Sequence, residues 1–264
     1  MNDELQTDRR ALWKNRVLAA AVALAVFLTL GIVQFFWLRA NVARLRYECD
    51  VELSNRAVSI RSEIDKIVLS SCIMKELILD HSGGLEFFDS IVPDIYMSVL
   101  KESGVHLRNI AAAPGGRVEK VYPLKGNEGF VGFNLLDISR AGNGDAVRAC
   151  KTGRTILTNP FDLVQGGVGM GARTPVFIPD ENGMKKFWGL ATVTLDFKET
   201  YASFGLDSLS KQGYSYRLWY EDDSGSELEL GASEKPVADP EVAMVETTGL
   251  KWRIGASPAD GWIN

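Results

Sequence analysis

Few residues of this chain are of a type and spacing that suit chemistry. It holds two histidines, His81 and His106, and three cysteines, Cys49, Cys72 and Cys150, all far apart in sequence. Neither a zinc pattern nor a disulfide framework follows from such scattered positions. No Gly-x-Ser-x-Gly elbow marks a nucleophile. The run Gly166-Gly167-Val168-Gly169-Met170-Gly171 leads into Arg173-Thr174-Pro175-Val176-Phe177, a strand-forming segment with a proline. A phosphate-cradling loop has to open a helix instead, so these glycines read as a bent connection into a strand. The acidic run Glu221-Asp222-Asp223 reads as a hydrated hairpin tip without EF-hand spacing. Catalysis, a bound metal and a cofactor are therefore not expected, and Arg173 is the charge within an otherwise apolar strand-forming run. A guanidinium in an otherwise apolar strand can pair bidentately with a ligand carboxylate or phosphate, or form a salt bridge to Asp162 or Asp196. Thr192, Thr194 and Asp196 share one face of the strand by the two-residue period, whereas Val193, Leu195 and Phe197 face the other way. Asp196 also suits the N-cap of a helix beginning near Lys198.

These residues must be positioned by elements that the hydrophobic pattern reveals. The 264 residues comprise 46% hydrophobic and 24% charged types, with a formal net charge of -5, as in an ordinary folded chain. With a pI near 5.3, no nucleic-acid partner is expected, because phosphate binding needs a basic face. Residues 17–38 carry no charge at all, and a helix of that length spans a bilayer core. Trp13 at one end and Phe35, Phe36 and Trp37 at the other suit the membrane interface. A cleaved signal peptide competes, but its apolar core is normally shorter. Arg9, Arg10, Lys14 and Arg16 precede the span and Arg39, Arg44 and Arg46 follow it, so charge alone sets no orientation. A cytoplasmic leader (1–16) and an exported remainder fit the lengths.

Beyond the span, Leu45, Cys49, Leu53, Ala57, Ile60, Ile64, Ile67, Ser71, Met74 and Ile78 recur every three or four residues, the stripe of an amphipathic helix. Gly83-Gly84 would end it. Within a stalk bounded at 39–84, the helix from Arg39 to Asp80 measures about 60 Å at 1.5 Å per residue. Its stripe is expected to pair with a second copy over residues 45–57, giving a homodimer, and to pack on the chain's own sheet beyond Ile60. Cys49 would then be either a reduced thiol or a link across that dimer. A second helical pattern, 85–103, contains Pro93. Strands are expected over 107–113 and 117–124 as a hairpin, 155–158, 173–178, 187–197, 214–220, 226–231 and 250–257, with helices near 145–151 and 198–211. Two small sheets in series, each with helices, make an α+β fold.

Several segments together resemble the CHASE domain, the extracytoplasmic sensor module of membrane-anchored receptors. They are Arg108-Asn109-Ile110 with Ala113-Pro114-Gly115-Gly116; Val121-Tyr122-Pro123-Leu124-Lys125-Gly126-Asn127-Glu128 with Val131-Gly132; Leu157-Thr158-Asn159-Pro160-Phe161-Asp162-Leu163-Val164-Gln165-Gly166-Gly167; Arg173-Thr174-Pro175-Val176-Phe177; and Phe187-Trp188-Gly189 ending in Asp196-Phe197. The resemblance implies a stalk followed by two PAS-like subdomains, membrane-distal (85–197) and membrane-proximal (198–264). It places a small-molecule pocket in the distal one, for which Tyr122, Leu163, Val164, Arg173, Thr192 and Thr194 are the candidate residues. Cytokinin-binding members carry an acidic residue where this chain has Gly142-Asn143-Gly144, so the ligand itself is not carried over. Family members place a histidine kinase or cyclic-dinucleotide enzyme beyond a second membrane helix. The terminal Gly261-Trp262 resembles the approach to that helix, so a longer protein is expected. The expected role is a non-catalytic sensor on the periplasmic or extracellular side of the cell membrane, with an unknown small-molecule ligand. The rival is a membrane-anchored protein-interaction module without one.

Overall fold

The computed structural model describes residues 2–102, 104–222 and 224–263, with side chains from Trp13 onward except that of Glu102. The side chains of Arg9 and Arg10, invoked above for the leader, and the whole of Asp223, at the hairpin tip, lie outside the described residues. The chain divides into two compact units, residues 1–49 with 260–264, and residues 50–259.

In the first unit, helix α1 (Asn2–Asp80) begins and carries the apolar segment. Among the described residues α1 is the one helix long and apolar enough to cross a membrane, and that window is wholly unburied. Arg39 lies over the Phe35 ring at 5.4 Å and Arg46 over Trp262 at 4.5 Å, cation–π pairs at the polar end of the segment.

In the second unit, α1 continues and buries the predicted stripe. Leu53, Ala57, Ile60, Ile64, Ile67, Ser71, Met74 and Ile78 are each at most 4% exposed, and each large apolar side chain so buried contributes about 1.5–3 kcal/mol. Cys49 is likewise 2% exposed. Within the second unit, Leu53 and Ala57, at the end of the expected dimer seam over 45–57, are therefore already covered by the chain itself. Helix α1 ends where Gly83 takes φ +91° and returns its N–H to the Ile78 carbonyl at 2.8 Å. A Cβ there would strike the Trp188 indole at 2.6 Å.

Helix α2 (Phe88–Glu102) includes Pro93. Then come β1 (Leu107–Pro114), β2 (Lys120–Tyr122), a single 3-10 turn (Glu128–Phe130), α3 (Asn143–Thr152), β3 (Ile156–Leu157), β4 (Phe161–Asp162), β5 (Val168–Pro179) and β6 (Lys185–Asp196). These strands form one antiparallel sheet ordered β2-β1-β6-β5-β3, with β4 also on β5. The glycine run is mostly strand rather than a bent connection. Gly169 and Gly171 lie inside β5 because the Leu163 and Arg173 side chains occupy the space their Cβ atoms would need.

Short helices α4 (Phe197–Ser203) and α5 (Asp207–Lys211) replace the single helix expected over 198–211, broken at Gly205 with φ +66°. Strands β7 (Tyr214–Glu221), β8 (Glu227–Ala232), β9 (Glu241–Thr247) and β10 (Leu250–Pro258) make the second antiparallel sheet, ordered β8-β7-β10-β9. Strand β9 escapes the sequence reading because only Ala243 and Val245 of Glu241-Val242-Ala243-Met244-Val245-Glu246-Thr247 are buried. The interior of this sheet is filled: Trp252 packs edge-on to Phe197 and Phe204, with ring centroids 6.0 and 6.5 Å away. The two sheets are joined directly. The Leu157 N–H of β3 donates to the Thr248 carbonyl at 3.0 Å, and the Trp252 indole donates to Asn159 Oδ1 at 2.9 Å. A long helix with two antiparallel sheets and their helices is the α+β, two-PAS-like class expected.

Candidate ligand site

Register assigns the two faces of the first sheet. Arg173 stands opposite Thr192, and Gly171 opposite Thr194; Thr192 in turn faces Ala111 on β1. With side chains alternating across a strand, Arg173, Thr192 and Thr194 share a face with Ala111, Ala113 and Leu190. That face carries the core completed by Phe130, Leu135 and Ala146. The opposite face holds Thr174, whose hydroxyl meets Ser71 of α1 at 2.7 Å and Thr155 at 2.9 Å.

A cavity of about 300 Å³ opens on the first face. Phe130, Phe133, Phe161 and Leu163 give it apolar walls, Gln165, Thr194, Asn143 and Arg173 supply polar groups, and Val164, Asp162 and Arg140 stand around it. Its roof is the segment from β4 to β5, tied by Leu163 N–H to Gly167 O and Gly166 N–H to Leu163 O, both 2.9 Å. Phe161 sits where Gly142, at φ +74°, leaves room: a Cβ there would come within 2.8 Å of the ring. Buried Asn143 anchors the adjacent loop, donating to the carbonyls of Asn134 and Asp137 at 2.9 Å each.

Arg173 is only 2% exposed. Its guanidinium folds back over Gly171, whose Cβ would lie 2.6 Å from Cζ, and stands 6.0 Å from the Phe161 ring centroid. Nε and Nη1 are buried and make no hydrogen bond. Burial draws its pKa down to about 10, and the nearby Asp145 acts in the opposite sense, so the group remains a cation at neutral pH. Asp145 itself pairs with Arg148 at 2.8 Å. The salt bridges weighed for Arg173 are not made: Asp162 is exposed, and Asp196 pairs with Arg108 at 3.9 Å while capping α4 through the Glu199 N–H at 3.3 Å. A buried cation without a contacting counter-charge costs several kcal/mol, and an anion in the cavity would offset that cost.

Of the residues singled out from sequence, the cavity thus brings together Leu163, Val164, Arg173 and Thr194. Thr192 lies on the same face with a buried, unpartnered hydroxyl but is not part of the lining. Tyr122 stands apart: β1 and β6 separate its strand from β5, and its ring packs edge-on to Tyr96 of α2 at 5.4 Å. Phe130, Phe133 and Gln165 come from loops and a single 3-10 turn, where no periodicity announces which way a side chain faces.

No protein-family model matches the chain, and no curated protein matches it in sequence. Solved structures do share its fold. An extracellular ligand binding receptor from Desulfohalobium retbaense DSM5692 superposes with a TM-score of 0.58 at 14% identity, over 80% of this chain and 40% of that one. The sensory domain of the Campylobacter jejuni chemoreceptor Tlp3 with isoleucine bound gives 0.48 at 11% identity, over 83% and 96%. The same receptor's ligand-binding domain with L-valine gives 0.46 at 12%, over 83% and 96%. The chain spans 40% of the length of the Desulfohalobium receptor, and what they share at this identity is the fold.

Proposed function

We propose that this chain is the extracytoplasmic small-molecule sensor of a membrane-anchored signal-transduction receptor of the CHASE kind, anchored by residues 17–38 of α1. The observation that carries the reading is Arg173, a buried cation without a contacting counter-charge at the edge of a cavity with apolar walls. The fold shared with an extracellular ligand binding receptor supports it. Residues 85–197 then form the membrane-distal sensing subdomain and 198–264 the proximal one. The output, a histidine kinase or cyclic-di-GMP enzyme, belongs to a longer protein, and the sensor itself is not an enzyme.

The geometry suggests how occupancy leaves the cavity. Arg173 and Thr174 are neighbours on β5 with opposite facing, so a ligand drawing on Arg173 shifts the strand whose other face holds Ser71 of α1. Arg108 provides a second route, binding the Gln165 carbonyl at 3.2 Å and Asp196, the cap of α4. A ligand biases these contacts only by its different affinity for two arrangements. A homodimer through α1 would use the exposed Val58, Leu69 and Ile73 rather than the buried stripe.

The test is thermal unfolding of the full chain in nanodiscs with a panel of small carboxylates. A binder at about 100 times its Kd stabilises by about 2.7 kcal/mol. Arg173→Met, with secondary structure verified by circular dichroism, should lose that stabilisation; an unchanged response removes Arg173 from the site. The rival protein-interaction reading draws on an apolar groove of about 440 Å³ between α1 and α2, bordered by Leu69, Ile73, Ile91 and Ile95. A silent metabolite panel beside a reproducible partner captured through that groove would favour it.

A further inference from the structure

Resting on the sensor reading, we infer that the ligand is a hydroxyl-bearing carboxylic acid with an apolar body and no ammonium group. The argument begins at Asn127, 2% exposed. Its Nδ2 donates to the carbonyls of Arg108 and Pro123 at 3.2 and 2.9 Å, which fixes its Oδ1 as the acceptor. That oxygen receives Asn109 Nδ2 at 2.9 Å and Gln165 Nε2 at 3.2 Å. The Gln165 amide therefore has one orientation, and its Oε1 is left buried without a donor. Thr194 Oγ1, in the same lining, is also buried and unpartnered.

The buried polar groups of the lining that lack a partner are thus the Arg173 guanidinium, Gln165 Oε1 and the Thr194 hydroxyl. The one carboxylate in the lining, Asp162, is exposed, as is the second cation, Arg140. A ligand carboxylate answers Arg173. A ligand hydroxyl can donate to Gln165 Oε1 and accept from Thr194. An ammonium would lose its water to face neutral oxygens beside a like-charged guanidinium, a desolvation and repulsion with no buried carboxylate to offset them. Phe130, Phe133, Phe161 and Leu163 suit an aliphatic or phenyl body.

Matched trios separate these contributions: 3-phenyllactate, 3-phenylpropionate and phenylalanine, and 2-hydroxy-4-methylpentanoate, 4-methylpentanoate and leucine. Titrated calorimetrically into the full chain in nanodiscs, at least one trio should show the hydroxy acid binding about tenfold or more tighter than its amino acid. The plain acid should fall between them, weaker than the hydroxy acid by the worth of one neutral hydrogen bond, about three- to tenfold. Gln165→Leu should bring the hydroxy acid to the level of the plain acid while leaving the plain acid unchanged. Gln165→Glu, which puts a carboxylate at the same position, should move the preference toward the amino acid. If the wild-type chain binds the amino acid as tightly as the hydroxy acid, and Arg173→Met abolishes that binding, the inference falls and the sensor reading stands. Equal binding of hydroxy and plain acids overturns the hydroxyl assignment. No binding by either trio counts against both the carboxylate reading of Arg173 and the inference built on it.

Discussion

The Ser71 hydroxyl lies 2.7 Å from Thr174 Oγ1, joining the long helix to the strand residue immediately after Arg173. Both residues are at most 2% exposed, and Thr155 Oγ1 and Cys72 Sγ extend the cluster at 2.9 and 3.7 Å. Removing one buried partner costs the other one of its two hydrogen bonds, since Ser71 keeps the Val68 carbonyl and Thr174 keeps Thr155. Thr174→Val should therefore cost about 1–3 kcal/mol and Ser71→Ala about 1 kcal/mol. In urea unfolding the double variant should cost less than the sum of the two, by about 0.5 kcal/mol or more. Strict additivity would show that the pair does not couple α1 to β5.

Gly171 gives a cleaner probe of the cavity than Arg173 itself. An added Cβ meets the guanidinium at 2.6–2.8 Å, and the guanidinium is the far end of a flexible side chain, so it can move while the strand stays. Gly171→Ala should cost only about 1 kcal/mol in stability while weakening carboxylate binding about tenfold, a loss of about 1.4 kcal/mol. Wild-type affinity in this variant would place the anion away from the guanidinium.

Tyr201 of α4 and Tyr216 of β7 make stability depend on alkaline pH. Burial raises the pKa of the Tyr201 phenol, reinforced by its hydrogen bond to Tyr216, whose own pKa is raised mainly by burial. In the unfolded chain tyrosine ionises near pH 10. Above that pH the unfolded state binds fewer protons than the folded one, so this stabilisation is full below pH 10 and is lost as pH rises through the folded value. Chemical unfolding across pH 8 to 11 should show stability falling above about pH 10, with a shallower fall in Tyr201→Phe. A fall as steep as wild type in that variant would assign the effect to other groups.

Thiol reactivity tests the corrected helix face. Cys49 is 2% exposed and the Cys150 thiol is raised in pKa by burial, so both should react with a disulfide reagent at least tenfold more slowly in native than in denatured chain. Cys49 should form no link between copies under oxidation, whereas Val58→Cys, on a position 68% exposed, should form one if α1 pairs. A native cross-link through Cys49 would restore the seam read from the sequence.

The stripe from Leu53 to Ile78 was legible because helical periodicity reports burial whichever element covers it. What covers it was not legible, since a second copy and the chain's own sheets demand the same pattern. Arg173 stood out as a lone guanidinium among apolar strand residues, and the two-residue period placed Thr194 beside it. Gln165 and Asn127 carried no such signal. Their importance comes from hydrogen bonds that close only when β1 and two loops, 123–127 and 163–167, meet. Tyr122 lies in a segment that carries the family resemblance, and only strand order shows β2 to be remote from β5.

The junction between the sheets bears on how this protein can be handled. Strand β3 is two residues long and lies at the border of the first sheet, with the Thr248 carbonyl against its outer side and Gly249, at φ +88°, seated where a Cβ would strike the Leu157 backbone at about 3 Å. That turn joins β9 to β10 in the second sheet. Excising residues 85–197 as a minimal sensor would strip the covering from β3 and offer a free N–H to any passing strand, an invitation to self-association. Residues 50–259, the compact unit that holds both sheets, keep that contact in place.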